Sequence, residues 1–155
     1  MLVRCTCGCH GKPGGHEVNW IALLEPRRRG LRMRPGCSIL DVEGAEQRLG
    51  LTLPPALAGF FRQVDGFTDA NAQHECAWTL ARTVRENIAG RGPDGLPETL
   101  FGFGDDGAGG WFCLWAAKAA DATVFHFSWI DRTPASIAPD LRAFWPAWLD
   151  GRLQI

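Results

Sequence analysis

The sequence predicts one α+β domain with a mainly antiparallel central sheet and helices packed around it, and three observations carry the prediction. Helical periodicity dominates residues 38–66, aromatic-rich and alternating runs dominate residues 76–129, and a last helical stripe closes the chain. That order (helices, then several strands, then a helix) suits an antiparallel sheet covered by helices rather than an alternating parallel fold. At 155 residues the chain has the length of one domain and enough material for a substantial core.

Cys5 to His16, "CTCGCHGKPGGH", is glycine-rich and aperiodic, so residues 1–16 are read as a flexible tail and residues 17–155 as the domain. Val18, Ile21, Ala22 and Glu25 fit a short amphipathic helix disturbed by Pro26, and Arg27 to Arg29 form a basic cluster beyond it. "SILD" fits a capping box in which the Ser38 hydroxyl accepts an orphan N–H and Asp41 reaches back. Ile39, Val42, Ala45 and Leu49 continue at helical spacing until Gly50. Gly44 inside that helix costs ~1 kcal/mol relative to Ala, so packing must hold it. After the "LTLPP" corner, Pro55 suits the first turn of a second helix, whose buried stripe is Leu57, Phe60, Phe61 and Val64 and whose expected end is Gly66.

Cys76 to Leu80 reads as a strand and Ala81 to Ala89 as a short helix stopped by "GRGPDG". Leu100 to Phe103 and Trp111 to Trp115 flank a glycine-rich stretch as the two strands of a hairpin. Thr123 to Trp129 forms another strand, with Phe125, Phe127 and Trp129 on one face and Val124, His126 and Ser128 on the other. Ile137, Leu141, Phe144, Trp145, Trp148 and Leu149 predict a closing helix, kinked at Pro146 and ended by Gly151.

Composition bounds the function. The apolar share is 46%, with seven Trp, nine Phe and no Tyr, which is globular rather than disordered. No apolar run approaches the ~18 residues of a membrane span, and the N-terminus lacks a signal-peptide h-region, so a cytoplasmic protein with six reduced thiols is expected. Residues 1–37 carry seven basic and two acidic side chains, a net +5; residues 38–155 carry nine and fifteen, a net −6. The acidic body argues against a nucleic-acid binder and suits a basic partner.

The stretch "LFGFGDDGAGGWFCLW" tests the catalytic alternative. Gly102, Gly104 and Gly107 have dinucleotide-loop spacing, but the glycines lead into a strand rather than a helix. No Lys or Ser/Thr is present, and Asp105 and Asp106 would repel phosphate. Asp-Gly is a strong turn signal, so the loop is read as a hairpin turn whose two aspartates stand at an exposed tip. Cys5, Cys7, Cys9 and His10 could ligate zinc, yet their spacing lacks the two-residue knuckle of structural zinc sites, and no metal or other cofactor is assigned. Cys37, Cys76 and Cys113 are read as structural thiols, His126 as a sheet-face residue, Glu43 and Glu46 as a solvated helix face, and Asp65 as a turn cap. No catalytic set converges, which favours a non-enzymatic binding module.

"ILDVEGAEQRLGLTLPPALAGFFRQVDGF" resembles the signature helix pair of the SUKH superfamily, the Smi/Knr-like proteins. The landmarks are Ile39 or Val42, Glu46, Leu49-Gly50, Leu53-Pro54, Phe60-Phe61 and Asp65-Gly66. "LFGFGDDGAGGWFCL" is similar to the family's glycine-rich hairpin and "IAPDLRAFWPAWLDG" to its closing helix, so the resemblance spans about Trp20 to Leu153. It implies an α+β fold and, in bacteria, an immunity protein that binds and neutralises a cognate toxin domain, often a nuclease or deaminase. The alternative it implies is a regulatory or scaffold module with an endogenous protein partner. No shared catalytic residue carries over. Asp69, Glu75, Asp105 and Asp106, in loops or strand starts, are the residues expected to contact a basic partner.

Overall fold

A computed structural model describes residues 17–116 and 122–155. In order, it places α1 (Trp20–Leu24), a 3-10 turn (Glu25–Gly30), β1 (Leu31–Pro35), α2 (Ile39–Leu49), α3 (Pro55–Gln63), β2 (Val64–Asp69), α4 (Leu80–Ala89), β3 (Leu100–Asp105), β4 (Gly110–Trp115), β5 (Val124–Ser128), β6 (Pro134–Ala138) and α5 (Leu141–Leu149). The α+β architecture follows the expectation. The expected tail, with Cys5, Cys7, Cys9 and His10, lies outside the described residues.

Two antiparallel sheets, β1-β2 and β3-β4-β5-β6, are joined by one extended residue. Ala77 exchanges backbone hydrogen bonds with Phe67 of β2 (3.0 and 3.2 Å) and bridges Gly104 of β3. The expected strand Cys76 to Leu80 is thus reduced to this bridge, because Thr79 caps α4 through its side chain and Leu80 already belongs to that helix. β3 bulges between Gly102 and Gly104. The fully buried Asn87 of α4 then donates to the Gly102 carbonyl (2.7 Å) and accepts from the Gly102 N–H (2.9 Å), so neither backbone group is orphaned.

The helices behave as their local signals dictate. Ser38 and Asp41 form the full capping box of α2, and Gly50 ends it in the left-handed conformation (φ 67°). Leu57, Phe60 and Phe61 of α3 are buried, as is Val64. In the core Phe60, Phe67, Phe103 and Phe144 surround the buried Trp145, Phe112 packs on Phe103 and Phe144, and the Phe60 and Trp145 rings stack 5.8 Å apart.

Several expectations are corrected. On α1 the buried residues are Trp20 and Leu24, while Ile21 is 46% exposed, because the side of the helix that meets α3 and α5 carries Trp20, whose ring lies against Phe60, and not Ile21. On α2 Val42 and Ala45 are buried and Leu49 is half-buried against the core, but Ile39 is exposed. Gly66 does not end α3: the helix stops at Gln63, and Gly66 lies in β2 at φ 75°, where a Cβ would strike the backbone of Ala77 and Trp78. Ile137 belongs to β6 rather than to the closing helix, which begins at Leu141 behind the Asp140 cap.

Candidate functional site

The β3–β4 hairpin brings the charged loop residues to one corner. Gly107 and Gly109 take positive φ (74° and 105°), and the Asp106 N–H donates to the Gly110 carbonyl, closing the turn. A strand, not a helix, follows the glycines.

Asp105 and Asp106 are not an exposed tip. Their side chains are only 16% and 8% exposed. The Asp105 carboxylate accepts from Trp78 Nε1 (2.6 Å), Arg82 (3.0 Å) and the Gly107 N–H (3.0 Å), with His74 Nδ1 at 3.7 Å. Asp106 accepts from the Ala108 and Gly110 N–H groups (2.7 and 2.8 Å), and His126 Nε2 lies 2.8 Å from its other oxygen. Burial opposes ionisation of Asp106, but His126 and the two backbone donors outweigh it and hold the carboxyl below its ordinary range. Aspartate suits this position because its short carboxylate can bond its own backbone two residues on while reaching across the sheet.

Glu75 and Asp69 complete the corner. Glu75 accepts from the Thr79 N–H (3.2 Å) and Arg82 (2.9 Å), and Asp69 accepts from the Gln73 and His74 N–H groups (2.7 and 3.3 Å). The structure therefore brings Asp105 and Glu75 together on one guanidinium, with Asp69 beside them through His74 and Asp106 on the far side of the turn. With four carboxylates against one arginine, the corner keeps a negative excess although each acid has an internal partner.

Beside it runs an aromatic surface, of which only the β5 face is expected from the sequence. The Arg82 guanidinium lies 4.9 Å from the ring centre of the buried Trp78. Trp78 meets half-buried Trp111 edge-on at 4.8 Å, and Trp111 meets half-buried Trp129 at 4.9 Å. Gly102 leaves room for Trp111, since a Cβ there would sit 2.9 Å from the indole. Ile130, next along the chain, is 91% exposed. The alternation Phe125-Phe127-Trp129 signals this face; Trp78 and Arg82 carry no sequence signal linking them to Asp105.

Asp65 accepts from the Leu80 N–H at 2.6 Å, supporting the start of α4 instead of a local turn. Glu46 is not solvated: it accepts from the Leu53 N–H (2.8 Å). Cys76 and Cys113 are buried and Cys37 half-buried. Burial, assisted by Asp65, pushes the Cys37 thiol up to about 12; burial pushes Cys76 up to about 11 and Cys113 also upward. These thiols keep their protons at neutral pH, which suits packing and not nucleophilic attack. Among the described residues no group of three or more His, Cys, Asp or Glu is placed to hold a metal, and no helix is long and apolar enough to cross a membrane. A cleft of about 580 Å³ between α2 and α4 is lined by Cys37, Leu40, Arg48, Asp65 and Val84.

Comparison with known families returns a match to the SMI1 / KNR4 family (SUKH-1) over residues 36–145, from the loop before α2 into α5. No curated protein matches the chain.

Proposed function

Because the chain belongs to the SMI1 / KNR4 family (SUKH-1), we propose that it is an immunity-type protein that neutralises a cognate bacterial toxin domain, a nuclease or a deaminase, by direct protein–protein contact in the cytoplasm. Family membership carries this reading. The site adds support of a physical kind. Tryptophan is the residue most enriched at binding hot spots, and Trp111 and Trp129 lie half-buried on a sheet face beside a corner of negative excess. In this reading Asp69, Glu75, Asp105 and Asp106 line the contact corner, and their field accelerates encounter with the basic groove of a nuclease.

Co-expression with the toxin encoded by the neighbouring gene tests the proposal. Cell survival and a co-purifying complex are expected, and Trp129→Ala should weaken that complex. Cell death without complex formation overturns the reading for that pair.

A further inference from the structure

We propose that the outer edge of β1 is a docking strand for an extended, acidic segment of a partner protein. β1 pairs with β2 and, among the described residues, with no other strand. Its pleat is sorted: Leu31 and Met33 are half-buried against the core, while Arg32 and Arg34 are exposed on the opposite face.

Backbone alternation shows which groups the edge offers. Phe67 spends its N–H and C=O on Ala77, away from β1. Met33 stands opposite Phe67, so this pair is the non-hydrogen-bonded kind within the β1–β2 ladder. The Met33 N–H and C=O therefore point out of the sheet. Leu31, two residues back, sends its C=O the same way, and its N–H is satisfied by the Arg28 carbonyl of the preceding turn. Pro35 ends the edge with no donor to offer.

Charge selects the occupant. Several arginines of this chain are paired: Arg27 with Asp150 at 2.6 Å, Arg28 with Glu25 at 3.2 Å, and Arg82 with Glu75 and Asp105. Those without an ion pair elsewhere among the described residues, such as Arg48, Arg62 and Arg142, are scattered along the sequence. Arg29, Arg32 and Arg34 have no carboxylate at ion-pair distance among the described residues, although they fall within six residues of one edge. A second copy of the chain is disfavoured here, since antiparallel pairing of two such edges would oppose arginine to arginine. The chain's own first sixteen residues contain no Asp or Glu and so cannot supply the complement.

An antiparallel strand added at β1 would place one residue opposite Met33, on the core side, and its two neighbours opposite Arg32 and Arg34. The matching segment is acidic–apolar–acidic, with backbone bonds giving affinity and the flanking carboxylates giving selectivity. The assignment holds whether or not the partner is a toxin, so it stands or falls separately from the co-expression result.

A blocked hexapeptide alternating Asp and Val, titrated into isotope-labelled full-length protein, tests it by NMR. Saturable shifts confined to the amides of Leu31 to Arg34, with slowed exchange at Met33, are expected. Arg32→Ser with Arg34→Ser should weaken binding roughly tenfold, and Met33→Pro should abolish it by removing the outward donor. If Met33→Pro does not fold, the arginine pair carries the test, its fold checked by circular dichroism. Equal binding of the Lys-Val counterpart overturns the proposal, as do shifts centred elsewhere. Equal perturbation of these amides by single-stranded DNA would reassign the edge to polyanions, and a concentration-dependent dimer through them would reassign it to self-association; both overturn it.

Discussion

The acidic corner and the arginine edge carry opposite charges and have spent them differently. At the corner, every carboxylate is hydrogen-bonded inside the molecule, so what it can project outward is a field and little else. At β1, Arg32 and Arg34 have no hydrogen-bond or ion-pair partner among the described residues, and their short-range capacity is unused there. Counting charges along the chain makes the acidic body look like the binding determinant. Counting unspent hydrogen-bonding groups points to the basic segment as a second one. An ionised side chain already held by two or three donors is a structural part first.

That contrast can be broken at four places. The largest effect is expected for Gly110→Ala, where a Cβ would collide with the His126 ring and the Asp106 carboxylate; a loss of roughly 2–3 kcal/mol in urea unfolding should result. An unchanged midpoint would mean the corner is loosely held. Next, Asp105→Ala strips an acceptor from Arg82 and Trp78 Nε1, and about 1–3 kcal/mol should be lost. A smaller effect concerns acid. The depressed Asp106 carboxyl contributes stability that is complete above its unfolded value of ~4 and is lost as pH falls through its folded value. Asp106→Asn should therefore be less stable at neutral pH and lose less on acidification below about pH 4, followed by circular dichroism. The smallest effect is expected from Arg32→Ser with Arg34→Ser, within ~0.5 kcal/mol of the parent. A cost matching that of Asp105→Ala would show that the edge arginines are structural too.

Legibility in the sequence tracked the range of the determining forces. α2 and α3 could be read because capping and periodicity act within a few residues, as with Ser38 and Asp41 or Phe60 and Phe61. β1 and β6 could not. "LRMRP" follows a basic run and "PASIA" is small and weakly apolar, so each becomes a strand only through a partner distant in sequence. Trp20 and Ile21 are equally apolar neighbours, and only the position of α3 and α5 decides which is buried. The site divided the same way. The turn chemistry of Asp105 to Gly110 was visible, but the partners that draw both aspartates inward, Trp78, Arg82 and His126, lie some twenty or more residues away along the chain.

The corner between α2 and α3 bears on how such proteins diversify. Glu46 holds the Leu53 N–H, the Leu51 N–H returns to the Glu46 carbonyl, and Gly50 makes the left-handed exit. Glu46, Leu49-Gly50 and Leu53-Pro54 are the landmarks by which the chain resembles its relatives, and together they build a joint. A signature written in joints constrains how two helices meet and leaves the outward surfaces free to be rewritten, so one lineage can keep its architecture while changing what it recognises.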